Sequence, residues 1–379
     1  MLLVTGSLAL GGTERNILHL ARALDRRQFQ VEVLCFYRGQ LLENELRRHG
    51  VTVHALKAPS VGQPWLRRLL CYHLPFQWQL FWRLRRARRG VIHAFGFPAA
   101  YYTVILGRLA GARRIVFAVQ DWDVWKKSRV YRWLDILCGR LAAGVVADGE
   151  GARQLAVRKQ GLPAHKTMVI YDGVDPSELA PNRTREEILR EWGLTPDRCV
   201  VGVVARLDAR KKGQEYFLHA IPEIAARAPM CAFVLVGDGP DEAGLRRLAG
   251  ALPPTQQPVF AGPRTDLANI LCALDILVIP SLWESVPKIL LEAMWTQRAV
   301  VATTVGDIRE ILDEGCGVLI PPADATTLAA AVARLALSPA TARALAARAR
   351  QKLQERGLTL NQSIRHYEEL YSRLGRGGS

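Results

Sequence analysis

PSLWESVPKILLEAMWTQRAVVA, residues 280–302, places two carboxylates, Glu284 and Glu292, on either side of a predicted helix start. Ser285 is a candidate N-cap, and Pro287 suits the first helical turn, where its missing N–H would have no intrahelical partner. Glu284 is then expected in the loop and Glu292 further along the helix. The AVVA run at 299–302 reads as a buried strand and DILVIPS at 275–281 as another, so the unit is strand, loop, helix, strand. In open α/β sheets ligands bind where such loops leave the strand ends. A carboxylate at that edge can accept paired hydrogen bonds from neighbouring hydroxyls of a ribose or hexose ring, and charge-assisted bonds are the stronger kind. The chemistry suits a sugar nucleotide, although two glutamates at this spacing, taken alone, also fit a pair of solvated residues.

Working outward, alternating β and α signals run through the chain twice. In the first half, apolar runs at 2–5, 31–36, 91–95, 115–119 and 144–147 read as strands separated by helical stretches. In the second, CVVGVVARL, CAFVLVGDGP, PVFAGP, DILVIPS, AVVATT and GVLIPP supply another series. This is the pattern of two doubly wound α/β domains. The 379 residues, 49% of them apolar, suffice for two ordinary cores. Pro176, Pro181 and Asn182 cluster near residues 176–185, at the end of YDGVDPSEL and just beyond it, which predicts domains over 1–178 and 179–359, with the terminal helix at about 360–375 packing back on the first.

Charge is uneven. Residues 1–178 carry 27 Lys+Arg against 13 Asp+Glu, while 179–379 carry 24 against 22, so nearly all of the net +16 belongs to the first half. Residues 51–100 contain no acid, and PWLRRLLCYHLPFQWQLFWRLRRARR at 64–89 interleaves aromatics such as Trp65, Tyr72, Trp78 and Trp82 with arginines, Arg67 and Arg68 among them. Such a mixture suits an anionic membrane surface. It is also compatible with aromatics packed on the sheet beneath solvated arginines. No nucleic-acid motif accompanies it, and no nucleic-acid partner is expected. No apolar run approaches the 18 or so residues that a membrane-spanning helix requires. The seven cysteines show no metal or redox spacing and read as reduced core residues of a cytoplasmic protein, one that could sit peripherally on the inner face of the membrane.

Two further places carry candidate chemistry. Arg206 ends a strand in VVARLDARKKG, with Lys211, Lys212 and Gly213 following. Arginine can clamp phosphate bidentately and lysine supplies a point charge, so the loop could neutralise a diphosphate or simply be solvated. In LALGGTERNILHLARAL, Gly11 and Gly12 precede an amphipathic helix bearing Ile17, Leu18, Leu20 and Leu24, and a helix N-terminus opened by glycines favours anions. Gly6 and Gly11 do not make a dinucleotide fingerprint. His93 in VIHAF stands at a strand end, as structural histidines also do.

In their order GGTER, VIHAF, VIYDGVD, VARLDARKKG, LVGDGP, FAGP, SLWESVPKILLEAM and HYEELYSRL, these segments resemble the retaining glycosyltransferases of family 4 over almost the whole chain. The resemblance implies two Rossmann-like doubly wound domains facing a central cleft, the glycosyltransferase B architecture. It implies that Arg206 and Lys212 hold the donor pyrophosphate, that Glu284, with Ser285 and Val286, faces the transferred sugar, and that Glu292 holds the ribose. Gly11, Gly12 and His93 would belong to the acceptor side. Three positions depart from the family pattern: Pro287 stands where many members have glycine, Gln120 where many have histidine, and Asp172 where asparagine is usual. One extra residue also separates Arg206 from the Lys-Gly pair.

The expected activity is hexosyl transfer from a nucleoside-diphosphate sugar to a hydroxyl of a glycan or lipid-linked acceptor. No cofactor and no metal are expected; Asp121 and Asp123 form a DxD that reads as loop structure. A sugar-nucleotide epimerase of the same architecture, or a non-catalytic membrane-binding protein, would share parts of this pattern.

Overall fold

Seven strands, all parallel, form the sheet of the first unit: β1 (Leu2–Thr5), β2 (Glu32–Cys35), β3 (Thr52–Ala55), β4 (Ile92–Phe95), β5 (Ile115–Val119), β6 (Gly144–Ala147) and β7 (Thr167–Val169), in the order β3-β2-β1-β4-β5-β6-β7. The computed structural model describes residues 1–9, 11–37, 41–56, 74–96, 98–119, 129–313 and 315–376. The first unit comprises Met1–Asp172 and the chain from Leu360 onward; the second comprises Gly173–Thr359. The second sheet is also wholly parallel, with β8 (Cys199–Val204), β9 (Cys231–Val236), β10 (Val259–Gly262), β11 (Ile276–Ile279), β12 (Ala299–Thr303) and β13 (Val318–Ile320) in the order β10-β9-β8-β11-β12-β13. Each is therefore a Rossmann-like α/β domain.

The strands are short runs of Val, Ile, Leu and Ala because both faces are covered, as in other parallel sheets. In β1 the side chains alternate: Leu3 joins the core under helices Gly12–Ala23 and Leu360–Arg376, whereas Leu2 and Val4 join the core under helices Leu74–Ala87, Ala99–Leu109 and Arg129–Leu141. In the second unit, Val201 and Val203 of β8 pack with Phe217, Ile221, Phe233 and Leu235 in one such layer.

The junction expected after residue 178 falls instead between Asp172 and Gly173. Val174 N–H donates to the Leu358 carbonyl at 3.2 Å and the residue bridges to Thr359, which ties the chain just after the junction to the second unit. Leu360–Arg376 then returns to the first unit, where Ile364, Tyr367, Leu370 and Tyr371 are buried against Leu3, Ile17 and Phe95. The six described cysteines are all free thiols. Among the described residues, no single helix is long and apolar enough to cross a membrane.

Candidate functional site

In the second sheet the strand order reverses between neighbouring β8 and β11, so the loops leaving these two strands open side by side at the carboxyl edge. Arg206 lies just past β8 and is exposed. Asp208 then starts the short helix Ala209–Lys212 by accepting the Lys211 N–H, and Gly213 ends it in a left-handed conformation, φ 63°. Only glycine fits there, since a Cβ would lie 2.1 Å from the Pro280 carbonyl oxygen. Leu282 N–H donates to the Lys211 carbonyl at 2.8 Å, locking the turn after β8 to the loop after β11.

That lock brings Lys212 Nζ to Glu284 Oε1, where it donates a hydrogen bond. Ser281 Oγ donates to the same oxygen at 2.9 Å. The pair is largely out of water, with the Glu284 side chain 8% exposed and that of Lys212 22%. A buried carboxylate needs such partners, since an isolated one would be costly. Gln214, fully buried, donates Nε2–H to the Arg206 carbonyl at 2.7 Å and so fixes the backbone of the arginine.

Glu284 is held from a third side. Gly306, φ 57°, packs so closely on the Glu284 carbonyl that a Cβ would sit 2.0 Å from the oxygen, and Asp307 N–H donates to the Ser285 carbonyl at 3.2 Å. Thr303 Oγ1, at the end of β12, donates to the Ser281 carbonyl at 2.6 Å. These contacts set where the next helix begins. It spans Lys288–Trp295 with Pro287 as its N-cap residue and no side-chain cap, so Ser285 does not cap it as its position in the sequence suggests. Ser285 and Val286 are buried in the loop, and Glu292 is buried on the helix.

The structure thus joins Lys212 to Glu284, while Arg206 and Glu292 stand on separate elements, the loop after β8 and the helix after β11. Ser281, Gln214, Thr303, Gly306 and Asp307 complete the arrangement and are absent from the sequence reading. The signals for the last three were a threonine ending a predicted strand and a Gly-Asp just after it, in AVVATTVGD.

In the first unit the order reverses between β1 and β4. The loop after β1 leads to Gly11, extended at φ −162°, and to Gly12, the first residue of the helix Gly12–Ala23, whose N-terminus has no side-chain cap. Behind it Asn16 Nδ2 donates to Asp172 Oδ1 at 2.6 Å, both residues buried. The nearby Tyr367 phenol is held well above its ordinary pKa by burial and then by the Asp172 charge, a rise opposed by its hydrogen bond with Asn16.

His93 needs correction as an acceptor-side residue: it is wholly buried within β4, its Nδ1 2.7 Å from the Tyr371 hydroxyl, and burial pushes its pKa down to about 3. It is a neutral core imidazole. Gln120, Asp121 and Asp123 lie outside the described residues, as do Trp65, Arg67, Arg68 and Tyr72. Among the described residues no three His, Cys, Asp or Glu gather as a metal site.

Residues 10–178 match the family model described as Glycosyltransferase Family 4, and residues 198–338 match that of Glycosyl transferases group 1. The chain is 30% identical over 268 residues to the GDP-mannose-dependent alpha-(1-6)-phosphatidylinositol monomannoside mannosyltransferase of Mycolicibacterium smegmatis, covering 67% of this chain and 70% of that protein. It is 28% identical over 273 residues to the alpha-D-kanosaminyltransferase of Streptomyces kanamyceticus, covering 68% and 70%. Among solved structures, Anabaena HepE in complex with UDP and glucose is similar in fold, with a TM-score of 0.82 at 22% identity over 98% of this chain and 99% of that one.

Proposed function

This chain belongs to the family 4 glycosyltransferases, and from that premise we propose that it moves a hexose from a nucleoside-diphosphate sugar to an acceptor hydroxyl with retention of configuration. The observation that carries the reading is the Lys212–Glu284 pair, fixed between the loops after β8 and β11, with the exposed Arg206 on the same segment after β8 as the lysine. UDP in the HepE complex and GDP-mannose in the name of the mannosyltransferase support a nucleotide-sugar donor.

Each group has a role its geometry permits. As the bond from the anomeric carbon to phosphate breaks, negative charge grows on the leaving diphosphate, and Arg206 and Lys212 stabilise it where it develops. An ammonium has three N–H donors, so Lys212 can keep Glu284 and still reach a phosphate oxygen. Oε1 of Glu284 already accepts from Lys212 and Ser281, which leaves Oε2 for hydroxyls of the transferred sugar. Glu292 accepts from the ribose. The leaving phosphate itself assists front-face attack by the acceptor, with no protein nucleophile. Two cationic side chains take up the diphosphate charge, so no metal is assigned a role. The acceptor is a hydroxyl of a glycan, free or lipid-linked.

Transfer assays across a panel of sugar nucleotides test this. Arg206→Ala and Lys212→Ala should each lose on the order of 3 kcal/mol of transition-state stabilisation, as when one oxyanion donor is removed, and Lys211→Ala far less. Equal turnover by the three variants would sink the assignment.

A further inference from the structure

Helices Leu74–Ala87, Ala99–Leu109 and Arg129–Leu141 pack side by side over one face of the first sheet, burying Phe76, Leu80, Leu84, Val104 and Cys138 beneath them. Their outer side is unusual for a surface that meets only water. Of eight exposed large apolar side chains among the described residues, five lie here: Leu74, Trp78, Trp82, Leu109 and Trp133. Trp78 is 66% exposed and Leu109 71%. Single exposed apolar residues are ordinary, but a cluster on one face marks a site of interaction.

The charges around the cluster say what it meets. Exposed Arg85, Arg86, Arg88 and Arg89 follow Trp82, exposed Arg108 precedes Leu109, and exposed Arg132 precedes Trp133. The three helices carry one acid, Asp135, which is buried and accepts the Tyr101 hydroxyl, so their outer side presents no carboxylate. Along Leu74–Ala87 the outward residues run from Leu74 through Trp78 and Trp82 to Arg85, Arg86 and then Arg89, apolar at one end and cationic at the other. Trp78 and Trp82 touch edge to face with centroids 6.2 Å apart, and the Arg85 guanidinium lies 5.9 Å from the Trp82 ring. Beside them an open cavity of about 370 Å³, at the end of β3, is lined by His54, Trp78, Trp82, Arg83 and Arg86. Indoles settle at the boundary of headgroup and hydrocarbon, and arginines pair with lipid phosphates.

We propose that this helical face docks on an anionic phospholipid leaflet, with Leu74, Trp78 and Trp82 entering the interface, Arg85, Arg86, Arg88 and Arg89 on the headgroups, and a lipid phosphate in the Arg83–Arg86 cavity. Leu74 and Leu109 favour a leaflet over single-stranded nucleic acid, since aliphatic side chains offer a base nothing to stack on. The docking stands on its own observations; only its consequence, that the acceptor hydroxyl is carried by a lipid, rests on the transferase reading.

Co-sedimentation of the full chain with vesicles of phosphatidylglycerol mixed into phosphatidylcholine tests it. Binding should rise with the phosphatidylglycerol fraction, fall at high salt as the Debye length shrinks, and weaken on the order of a thousandfold when Arg85, Arg86, Arg88 and Arg89 are changed together to glutamine. Trp78→Ser with Trp82→Ser should abolish the part of binding that survives salt. All these side chains except Arg83 are exposed and outside the donor site, so calorimetry with UDP or GDP should be unchanged in both variants. Equal binding to neutral and anionic vesicles, wild-type binding by the four-arginine variant, or preference for oligodeoxythymidylate over vesicles would overturn the proposal. So would a dimer that Trp78→Ser dissociates. Loss of nucleotide binding with vesicle binding intact would count against the transferase reading and leave the docking face standing.

Discussion

Replacing Gly213 by alanine should separate the lock between the two donor-side loops from ordinary backbone cost. The residue sits at φ 63°, and the new Cβ would fall 2.1 Å from the Pro280 carbonyl oxygen, which must withdraw by roughly 1 Å to reach ordinary contact. A left-handed alanine costs about 1–2 kcal/mol, and losing the 2.8 Å bond from Leu282 N–H to the Lys211 carbonyl adds about 1 kcal/mol, so the total is about 2–3 kcal/mol. Gly193 supplies the control, because it has φ 69° in the same unit with nothing within 4 Å of its Cβ position. Gly193→Ala should lose only the backbone share, about 1–2 kcal/mol. Urea unfolding of both variants measures the difference, and calorimetry with UDP and GDP reads the site. Forcing the Gly213 turn away from the 280–284 loop displaces Lys212 itself, so Gly213→Ala should bind nucleotide at least about tenfold more weakly, equivalent to 1.4 kcal/mol, while Gly193→Ala binds normally. Equal destabilisation by the two changes, or unaltered nucleotide affinity in Gly213→Ala, would refute the idea that this contact positions the lysine.

Two further outcomes follow from the same geometry. Glu292→Gln should weaken binding of the free nucleoside diphosphate, whereas Glu284→Gln should largely spare it and lose discrimination among donor sugars; indistinguishable calorimetric affinities would end that division of roles. His93 titrates near pH 6.5 when unfolded but is held neutral down to about pH 3 in the fold. Below pH 6.5 the unfolded chain therefore takes up a proton that the folded chain refuses, and stability is lost as pH falls, by up to ~1.4 kcal/mol per pH unit from this residue. In His93→Gln the slope of stability against pH between 6.5 and 4 should be shallower by that amount, and parallel profiles for variant and wild type would contradict the assignment.

Of the seven strands in the first sheet, the apolar runs reveal five. The two they miss, Thr52–Ala55 and Thr167–Val169, are the edges of the sheet, where one side of the strand lacks a neighbour and residues such as Thr52 and His54 are left partly exposed. The edge strands of the second sheet are just as short but are legible because Pro and Gly bracket them, in PVFAGP and GVLIPP. The site shows the same limit. Arg206 is visible as a charge at a strand end, Lys212 and Glu284 as charges in the segments that follow strands, Glu292 as a carboxylate along a helix, and the helix start near residue 287 is visible from proline. What sequence spacing misplaces is the cap, because the conformation of Ser285 is decided by Gly306 and Asp307 arriving from the turn after β12. His93 misleads for a related reason: its partner, Tyr371, lies near the far end of the chain.

The return of Leu360–Arg376 to the first unit makes that unit discontinuous, and this bears on the order of events during synthesis. Residues 173–359 emerge as one uninterrupted piece and carry every strand of their own sheet, so they can complete a core as they leave the ribosome. The first unit is translated earlier yet finished later. Until the last helix arrives, the core that Ile364, Tyr367, Leu370 and Tyr371 close is open over Leu3 and Phe95, His93 lacks its hydroxyl partner, and the Asp25 N–H lacks the Glu368 carboxylate it donates to at 2.9 Å. The half of the protein bearing the excess of arginine therefore waits, partly open, on residues from the opposite terminus.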